Sequence, residues 1–374
     1  MADNGHREIG VWWHDDALVH DTGTGVWEVA ASDLVECLDL HPENDVRIRN
    51  MRAMLQRGPI APNVRWEAGR HATHDELTTV HDPAYLASIE AIVDSGGGRW
   101  SDGQSVLSPA SWTSILAAAG TTLAAADAVV GGDVDVALAL VRPPGHHAQP
   151  AMADGYCFVN NVALAAQRAR DAGRARVAVV DWDVHHGNGT QECFYDRDDV
   201  LTISLHMKTG AWGPTHTQTG SPAEMGIDDG HGFNVNIELP VGSGDAAYEL
   251  AMRDLVLPIL RQYQPDMLIG ACGQDASTFD PNGRQNVTMA GFRAIGGIMR
   301  EAAAELCAGR LLLVQEGGYA LTYAAYCLHA TLEGVLDGEM RLEDPLAYIP
   351  DDVERATASV AAIKAALSKT WKLR

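Results

Sequence analysis

The chain has 374 residues, of which 46% are hydrophobic and 21% charged, and its 50 acidic and 27 basic residues give a formal net charge of −23. These proportions are typical of a soluble globular protein with enough chain to bury a core. The acidic excess argues against a nucleic-acid or anionic-membrane partner, because clustered Lys and Arg bind phosphate surfaces.

Cysteine usage and the most apolar segments indicate the expected compartment. Six cysteines stand singly along the chain, which predicts reduced thiols and no disulfide framework. Residues 1–8 are polar and lack the apolar core of a secretory signal. Glycines and aspartates interrupt the Ala-rich residues 115–141, so we predict no membrane span there. We therefore expect a cytoplasmic protein.

Apolar runs alternate with segments of helical periodicity along the whole chain. The runs predict strands at residues 9–13, 135–141, 176–183, 200–206, 233–239, 266–272 and 311–315. The periodic segments predict helices at residues 45–56, 73–93, 110–130, 160–172, 189–195, 245–263, 290–308, 321–336 and 353–367. This alternation predicts one α/β domain over residues 1–374, a mainly parallel central sheet covered by helices on both faces.

The segment 178–189, AVVDWDVHHGNG, begins as a buried strand and ends in an acidic, histidine-rich turn. In extended backbone the side chains of Asp181, Asp183 and His185 point the same way, because they alternate along the strand. A strand that simply ends in a polar loop is the alternative. The adjacent histidines and glycines favour a divalent-metal site.

Four polar clusters follow predicted strands. They are RPPGHHA at residues 142–148, DWDVHHGNG at 181–189, GQD at 273–275 and QEGGY at 315–319. In open parallel sheets, sites form outside the carboxyl ends of the strands. We therefore expect these clusters to meet in one site.

The side chains in these clusters suit hydrolysis of an amide or similar acyl bond. Asp183, His185 and Asp275 would supply metal ligands and leave room for water and a substrate carbonyl. The metal would lower the pKa of bound water from ~16 to nearer ~7. His146 and His147 would act as general base and acid.

Tyr319 lies between a Gly-Gly pair and a predicted helix. Its phenol can donate a hydrogen bond to a developing oxyanion, an interaction whose removal costs on the order of 10²–10³ in rate. This residue completes the set of groups needed for acyl hydrolysis.

The motifs RPPGHHA, GYCFVNN at residues 155–161, DWDVHHGNG and EGGY resemble those of the histone deacetylases, which have the arginase/deacetylase fold. The similarity covers about residues 9–336, which leaves a C-terminal helical segment at 337–374. It is nearest to class II deacetylases, bacterial deacetylase-like amidohydrolases and acetylpolyamine amidohydrolases, so we expect a bacterial protein. Asn188 favours class II, because class I enzymes typically have Asp there.

The resemblance implies a deacetylase with one Zn²⁺ per chain, although iron stays open as the metal in the cell. Asp183, His185 and Asp275 match the zinc ligands of the family. His146 and His147 match its histidine pair.

The resemblance also assigns supporting and oxyanion-binding roles. Asp181 would bond to His146, and Asn188 would orient His147. Tyr319 matches the catalytic tyrosine.

The resemblance places substrate-binding residues around a tunnel. Tyr156 matches an aromatic wall that is usually Phe, and its neighbours Gly155 and Phe158, together with Gly317, belong to the same expected set. The rim loops around Trp27, residues 100–104 and Trp212 would decide the choice of substrate.

The family also binds a structural K⁺ or Na⁺. The matching positions are Asp181, Asp183, His185, Ser204 and Leu205. A second monovalent site would involve Phe194, Arg197 and Val200.

Two residues depart from the pattern of the family. Gln274 precedes the ligand Asp275 where relatives often have a small or aromatic residue, which either alters substrate choice or is neutral. Asn282 stands where an acidic residue can mark polyamine deacetylases, so the missing charge weakens that alternative.

Six further histidines stand alone and are expected to be surface or loop residues rather than ligands. They are His71, His74, His81, His206, His216 and His231. The loop with His20 and Asp21 resembles an active-site rim in relatives.

The leading hypothesis is removal of acetyl or other short acyl groups from acyl-lysine-like substrates, whether small molecules or peptides. Acetylpolyamine hydrolysis is the alternative enzyme activity. An arginase-type ureohydrolase would need a second set of metal ligands that HHGN fits poorly, and a non-catalytic acyl-ligand binder would tend to lose a ligand or the oxyanion donor. Relatives are commonly dimers or tetramers, so we expect a homodimer or homotetramer.

Overall fold

A parallel sheet organises the protein, whose structure is a computed structural model that describes residues 8–25, 27, 33–208, 219–346 and 349–373. In this part of the chain the strands are β1 (Ile9–Trp13), β2 (Thr24–Gly25), β3 (Asp39–Leu40), β4 (Val64–Ala68), β5 (Gly98–Arg99), β6 (Val106–Leu107), β7 (Val136–Ala139), β8 (Val177–Asp181), β9 (Val200–Met207), β10 (Asn234–Leu239), β11 (Met267–Cys272) and β12 (Leu311–Gln315). Eight of them form one sheet in the order β10-β9-β8-β11-β12-β7-β1-β4. Every neighbouring pair in this sheet is parallel.

Helices follow most strands, as a parallel sheet requires for its crossovers. They are α1 (Asp45–Arg57), α2 (His74–Leu77), α3 (Pro83–Asp94), α4 (Ser111–Gly131), α5 (Asn161–Asp171), α6 (Asn188–Phe194), α7 (Asp245–Ala251), α8 (Leu257–Tyr263), α9 (Met289–Leu306), α10 (Tyr323–Leu336) and α11 (Val353–Leu367).

Successive residues of the central strands point into two different hydrophobic cores, one on each face of the sheet. In β12, Leu311 and Leu313 belong to the larger core, whereas Leu312 and Val314 belong to the core on the other face. All four side chains are fully buried, and burial of such a side chain stabilises the fold by about 1.5–3 kcal/mol. The predicted α/β fold with both sheet faces covered is confirmed.

Some predicted elements differ from the observed ones. The helix predicted at 73–93 is two helices, because Pro83 begins α3 behind an Asp82 cap that accepts from the Ala84 backbone N–H at 2.7 Å. The helix predicted at 245–263 contains a π-helical segment, Met252–Val256, just before Pro258, which lacks the N–H of a regular ladder. Strand β4 was missed because its sequence, VRWEA, is half-buried at the sheet edge and has no apolar run.

Helix α4 is long and apolar enough to cross a membrane by length and composition alone. However, 72% of its most apolar window is buried against the rest of the protein, as expected for a core helix.

The four polar clusters predicted at one sheet edge follow β7, β8, β11 and β12. These are the four adjacent central strands of the sheet, in the order β8-β11-β12-β7. Because all four run in the same direction, their carboxyl ends bring the clusters together.

Candidate active site

Asp183, His185 and Asp275 form a group of potential metal ligands at the carboxyl ends of β8 and β11. His185 Nδ1 lies 2.9 Å from Asp183 Oδ1 and 2.9 Å from Asp275 Oδ2. Both carboxylates are fully buried. Asp275 Oδ2 is buried and makes no hydrogen bond of ordinary geometry, so a ligand-binding atom is directed toward the imidazole without another partner.

Backbone N–H groups hold the two carboxylates in place through their other oxygens. Gly317 N–H donates to Asp183 Oδ2 at 2.8 Å, and Val184 N–H donates to Asp275 Oδ1 at 2.9 Å. The strand ends at Asp181, and the backbone bends at residues 183–185 instead of continuing extended as predicted; this bend places the Asp183 carboxylate against the loop after β12.

The electrostatics of this group favour a bound cation. Burial, together with the charge of Asp183, raises the pKa of Asp275 to about 8. Burial alone would lower the pKa of His185, but the carboxylates of Asp275 and Asp183 outweigh it and raise that pKa to about 10. Two buried carboxylates around one imidazole form a site that positive charge stabilises.

The histidine pair lies on the loop after β7, beside the ligand group. The rings of His146 and His147 are 4.0 Å apart between centroids, and those of His147 and His185 are 5.7 Å apart. His146 Nδ1 lies 2.9 Å from Asp181 Oδ2. Burial would lower the pKa of His146, but the carboxylates of Asp183 and Asp181 raise it well above its ordinary value.

His147 is oriented through an amide that a further acidic residue holds. Asn188 Nδ2 donates to Asp154 Oδ2 at 2.9 Å, which fixes the amide so that Oδ1 faces His147 Nδ1 at 2.6 Å. His147 Nδ1 therefore carries the proton, and Nε2 keeps its lone pair. Burial and the neighbouring His146 lower the pKa of His147 well below its ordinary value, so the ring is neutral. Sequence analysis missed Asp154, because an isolated loop aspartate carries no local signal.

Tyr319 follows β12 and is buried at the same edge. The Arg47 guanidinium lies over its ring at 5.0 Å from the centroid, and the Tyr156 ring packs edge-on at 5.8 Å. Burial raises the pKa of Tyr319 well above its ordinary value, so the phenol keeps its proton and can donate.

A row of aromatic rings continues from Tyr319 through Tyr156. Tyr156 packs against His41 with centroids 4.7 Å apart, and His41 packs against Trp27 at 4.2 Å. Asn282 Nδ2 donates to the Tyr156 hydroxyl at 3.2 Å, which adds a neutral polar pair to this row.

The predicted rim loops are placed in part. The 100–104 loop reaches the aromatic row, because His41 Nε2 lies 3.1 Å from the Gln104 carbonyl. Trp27 belongs to the row itself, and Trp212 lies outside the described residues.

The structure gives the surroundings of three of the expected substrate-binding residues. Gly155 approaches His147 so closely that a Cβ there would lie 2.3 Å from His147 Cδ2. Gly317 supports Asp183 through its backbone N–H. Phe158 has no exposed surface, belongs to a hydrophobic core and packs edge-on against His20 with centroids 5.9 Å apart.

A buried ion-pair network, absent from the sequence-based prediction, supports the site from behind. Glu43 Oε1 accepts from Arg142 Nε at 2.8 Å and from Arg47 Nη1 at 3.2 Å, and all three side chains are fully buried. Arg47 also donates to the carbonyls of Glu316 and Gly318, in the loop that carries Tyr319. Helix α1 is thereby connected to the loops after β7 and β12.

The single histidines divide between the surface and the core. His71, His74 and His231 are exposed, and His216 lies outside the described residues. His81 is buried but lies in the loop between α2 and α3, whereas His206 is buried within β9, contrary to the expectation of a surface or loop position. His81 Nε2 accepts from the Asn160 N–H at 2.9 Å.

His206 and His20 are also tied into the structure. The nitrogens of His206 lie within 3.0 Å of Ser204 Oγ and the Gly220 carbonyl. His20 is buried with Nδ1 2.7 Å from Ser111 Oγ, whereas Asp21 is exposed. His71 belongs to a surface group with His14 and Asp16, and a 2.7 Å contact between His71 Nε2 and Asp16 Oδ2 accounts for it as ordinary hydrogen bonding.

Comparisons with known proteins agree with this fold and site. The model of the histone deacetylase domain matches residues 41–335. "Histone deacetylase 8" of Arabidopsis thaliana is 51% identical over 361 residues, which cover 96% of either chain. The "Histone deacetylase-like amidohydrolase" of Pseudomonas aeruginosa is 39% identical over 308 residues, 82% of this chain and 80% of that protein. The crystal structure of the HDA15 HD domain superposes with a TM-score of 0.83 at 32% identity, covering 98% of this chain and 96% of that one.

The fold and the matched domain define a hydrolytic deacetylase. The chain belongs to the histone deacetylase family, as its motifs predicted. The expected bacterial source is not supported, because the plant relative matches at 51% identity against 39% for the bacterial amidohydrolase.

We predict that Gly155→Ala lowers deacetylase turnover by about 10–100-fold, because the added methyl group displaces His147 and small misplacements of catalytic groups are costly. The backbone φ at Gly155 is +50°, so the variant also carries conformational strain. Steady-state kinetics on an acetyl-lysine reporter measures the effect.

Gly173→Ala is the matched control. Its φ is +87° and no neighbouring atom lies within 4 Å of the added Cβ. The free energy of unfolding of Gly173→Ala should fall by about 1–2 kcal/mol, as much as that of Gly155→Ala, while its turnover should stay unchanged. Equal turnover in both variants would contradict the close approach to His147.

Proposed function

We propose that this protein is a zinc-dependent amidohydrolase that removes acetyl or other short acyl groups from lysine-like amines. The observation that carries the proposal is the buried Asp183–His185–Asp275 group beside a histidine pair and a neutral tyrosine. Two carboxylates and one imidazole are three protein ligands, the number typical of catalytic zinc sites that keep a position open.

The donor set suits a zinc ion. Asp183 Oδ1, Asp275 Oδ2 and His185 Nδ1 converge, and the second of these atoms has no hydrogen bond of ordinary geometry. When bound, zinc supplies Lewis acidity that makes water acidic enough to attack near neutral pH and makes a substrate carbonyl more electrophilic.

The histidine pair moves the protons of the reaction. Neutral His147, whose Nδ1–H is held by Asn188, accepts the proton of the attacking water at Nε2. Hydrolysis also requires a proton on the leaving amine, and the pair returns it. Asp181 holds His146 beside His147 throughout, through the 2.9 Å contact at Nδ1.

Tyr319 stabilises the charge that develops on the substrate carbonyl oxygen. Its pKa is raised by burial, so the O–H remains a donor. A preorganised donor of this kind contributes on the order of 10²–10³ in rate.

The aromatic row of Trp27, His41, Tyr156 and Tyr319 supports a substrate with an alkyl chain. Apolar ring faces bury methylene groups, and the Tyr156–Asn282 pair adds no net charge. A neutral wall favours a lysine side chain, whose only polar group in the tunnel is the amide, over a polyamine with charged amines along its chain.

We predict that Tyr319→Phe reduces turnover of an acetyl-lysine reporter by about 10²–10³-fold. Asp183→Asn should abolish turnover and lower the zinc content measured by atomic absorption, because the ligand charge is lost. Chelator treatment of the unaltered protein should do the same, and added zinc should restore activity.

Tyr263→Phe and Asp198→Asn are matched controls at the opposite edge of the sheet, where Tyr263 Oη donates to the Asp198 carbonyl. Both should keep normal turnover. Full activity of Tyr319→Phe or Asp183→Asn would refute the mechanism.

Substrate class is tested by comparing an acetyl-lysine peptide with N-acetylputrescine and N8-acetylspermidine at equal concentrations. We expect kcat/KM to be highest for the peptide, because the Tyr156–Asn282 pair offers no charge to a second amine. A polyamine preference would establish the alternative activity and leave the metal chemistry intact.

We also propose a structural K⁺ or Na⁺ between β8 and β9. A small pocket of about 10 Å³ there, the size of one water-sized occupant, is lined by Asp181, Gly187 and Ser204, whereas Asp183, His185 and Leu205 are not among its lining residues. Asp181 and Ser204 are direct partners in the parallel register. The set Asp181, Asp183, His185, Ser204 and Leu205 stays the predicted ligand set for this ion.

We predict that the midpoint of thermal unfolding rises with KCl concentration relative to tetramethylammonium chloride at equal ionic strength. A ligand that binds only the folded state stabilises it by about 2.7 kcal/mol at 100 times its Kd. Identical midpoints in the two salts would contradict the site.

A further inference from the structure

A buried carboxylate that no catalytic step uses lies next to Tyr319. Asp280 stands in the loop after β11, beyond Asp275, and its side chain is 7% exposed. Each of its oxygens accepts two backbone N–H groups. Such charge-assisted bonds are stronger and more directional than neutral ones.

The two oxygens of Asp280 serve two different loops. Oδ1 accepts from Asn282 and Gly283 at 2.9 and 3.2 Å, which closes a turn in the β11 loop. Oδ2 accepts from Tyr319 and Ala320 at 2.6 and 3.1 Å, in the loop after β12. One carboxylate therefore joins the loop that carries a metal ligand to the loop that carries the tyrosine.

The turn that Asp280 closes has little freedom to move. A Cβ at Gly283 would lie 1.9 Å from the carbonyl oxygen of Asp275, so this backbone is packed directly against the ligand residue. Asn282, in the same turn, donates to the Tyr156 hydroxyl. The turn thus contacts the loop of Asp275 and Tyr156 in the aromatic row, and Asp280 connects it to Tyr319.

We propose that Asp280 is a positioning residue for the oxyanion donor, setting the location of Tyr319 relative to the Asp275 loop by holding the Tyr319 backbone N–H. The inference rests on the proposed role of Tyr319. Among the hydrogen bonds of the described residues, Asp280 is the only side chain that binds the Tyr319 backbone.

The chemistry of this position requires a carboxylate rather than an amide. In the Asp280→Asn variant the side chain would keep one acceptor oxygen, and its NH₂ group would face two backbone N–H donors. The pair of N–H groups at Tyr319 and Ala320, or the pair in the turn, would lose its acceptor. In either orientation the side chain no longer joins the two loops, so the tyrosine would shift relative to the Asp275 loop, and a displacement near 1 Å can cost about 10²-fold in rate.

The first test is a double-mutant cycle on the zinc-loaded, full-length chain with an acetyl-lysine peptide. Asp280→Asn should lower kcat about 10–100-fold with KM changed less than about 3-fold, because the interaction is needed in the transition state. If Asp280 acts through Tyr319, the variant D280N/Y319F should match Tyr319→Phe alone within about 3-fold. Multiplying losses would overturn the inference.

A second readout uses a trifluoroacetyl-lysine peptide, whose electrophilic carbonyl depends less on an oxyanion donor. The losses caused by Tyr319→Phe and by Asp280→Asn should both shrink on this substrate by a similar factor. A loss in Asp280→Asn that stays the same while that of Tyr319→Phe shrinks would overturn the inference. Reduced zinc content in Asp280→Asn would overturn it too, because Asp280 would then act through Asp275.

Asp245→Asn is the matched control for general loosening of the fold. Asp245 accepts from the Thr288 N–H and hydroxyl at 2.7 and 2.6 Å at the start of α9. It should lower stability without changing kcat by more than about 3-fold. Asp280→Glu keeps the charge but moves it by one methylene. If Asp280→Asn does not fold, Asp280→Glu should show an intermediate loss with the same non-additivity.

The two proposals fail separately. Normal activity of Tyr319→Phe removes the role of Tyr319, and the inference falls with it. An inactive Tyr319→Phe with normal activity in Asp280→Asn removes the inference alone.

Discussion

Burial of several carboxylates at one edge of a parallel sheet is the constraint on which this site depends. Asp181, Asp183, Asp275 and Glu316 are almost completely buried there. Burial raises the pKa of Glu316 to about 7 and contributes to that of Asp275 at about 8. Such charges persist only where donors compensate them. The loops that follow parallel strands provide those donors, since Glu316 Oε2 accepts the N–H groups of Gly145 and His146 at 2.7 and 3.1 Å.

The same principle organises the layer behind the site. Arg47 and Arg142 both bind the carboxylate of Glu43. Each arginine also donates to a backbone carbonyl: Arg142 to that of His20 at 2.7 Å, and Arg47 to that of Gly318 at 2.9 Å. The buried charged side chains thus bind backbone groups of loops as well as one another. Removing a single member of such a network leaves an uncompensated charge, which is the costly case. Precision at Tyr319 therefore depends on residues that come from α1 as well as from its own loop.

Site residues that lie close together in the sequence could be predicted, whereas residues that act on distant loops could not. Asp183 and His185 could be predicted together because both closely follow one strand, although the backbone bends there, and the order of strands brought Asp275 to the same edge. Glu43, Asp154 and Asp280 were missed because each acts on side chains or backbone N–H groups of remote loops, which leave no pattern near the acidic residue. The burial of His81 and His206 was missed for the same reason. The predicted helices were wrong in part where Pro83 and Pro258 alter the backbone hydrogen bonding.

In the proposed function, surface charge and the aromatic row would act at different stages of substrate selection. A net charge of −23 attracts basic peptides and polyamines alike, and this attraction weakens beyond about 8 Å at physiological salt. Under the proposed function, discrimination would then arise at the aromatic row, where Asn282 donates to Tyr156 while its own Oδ1 is buried without a hydrogen-bond partner. A buried neutral acceptor is satisfied by one N–H donor and gives a second ammonium no counter-charge. Under the proposed function, the overall charge of the chain would therefore govern encounter, and a single uncharged pair would govern choice of substrate.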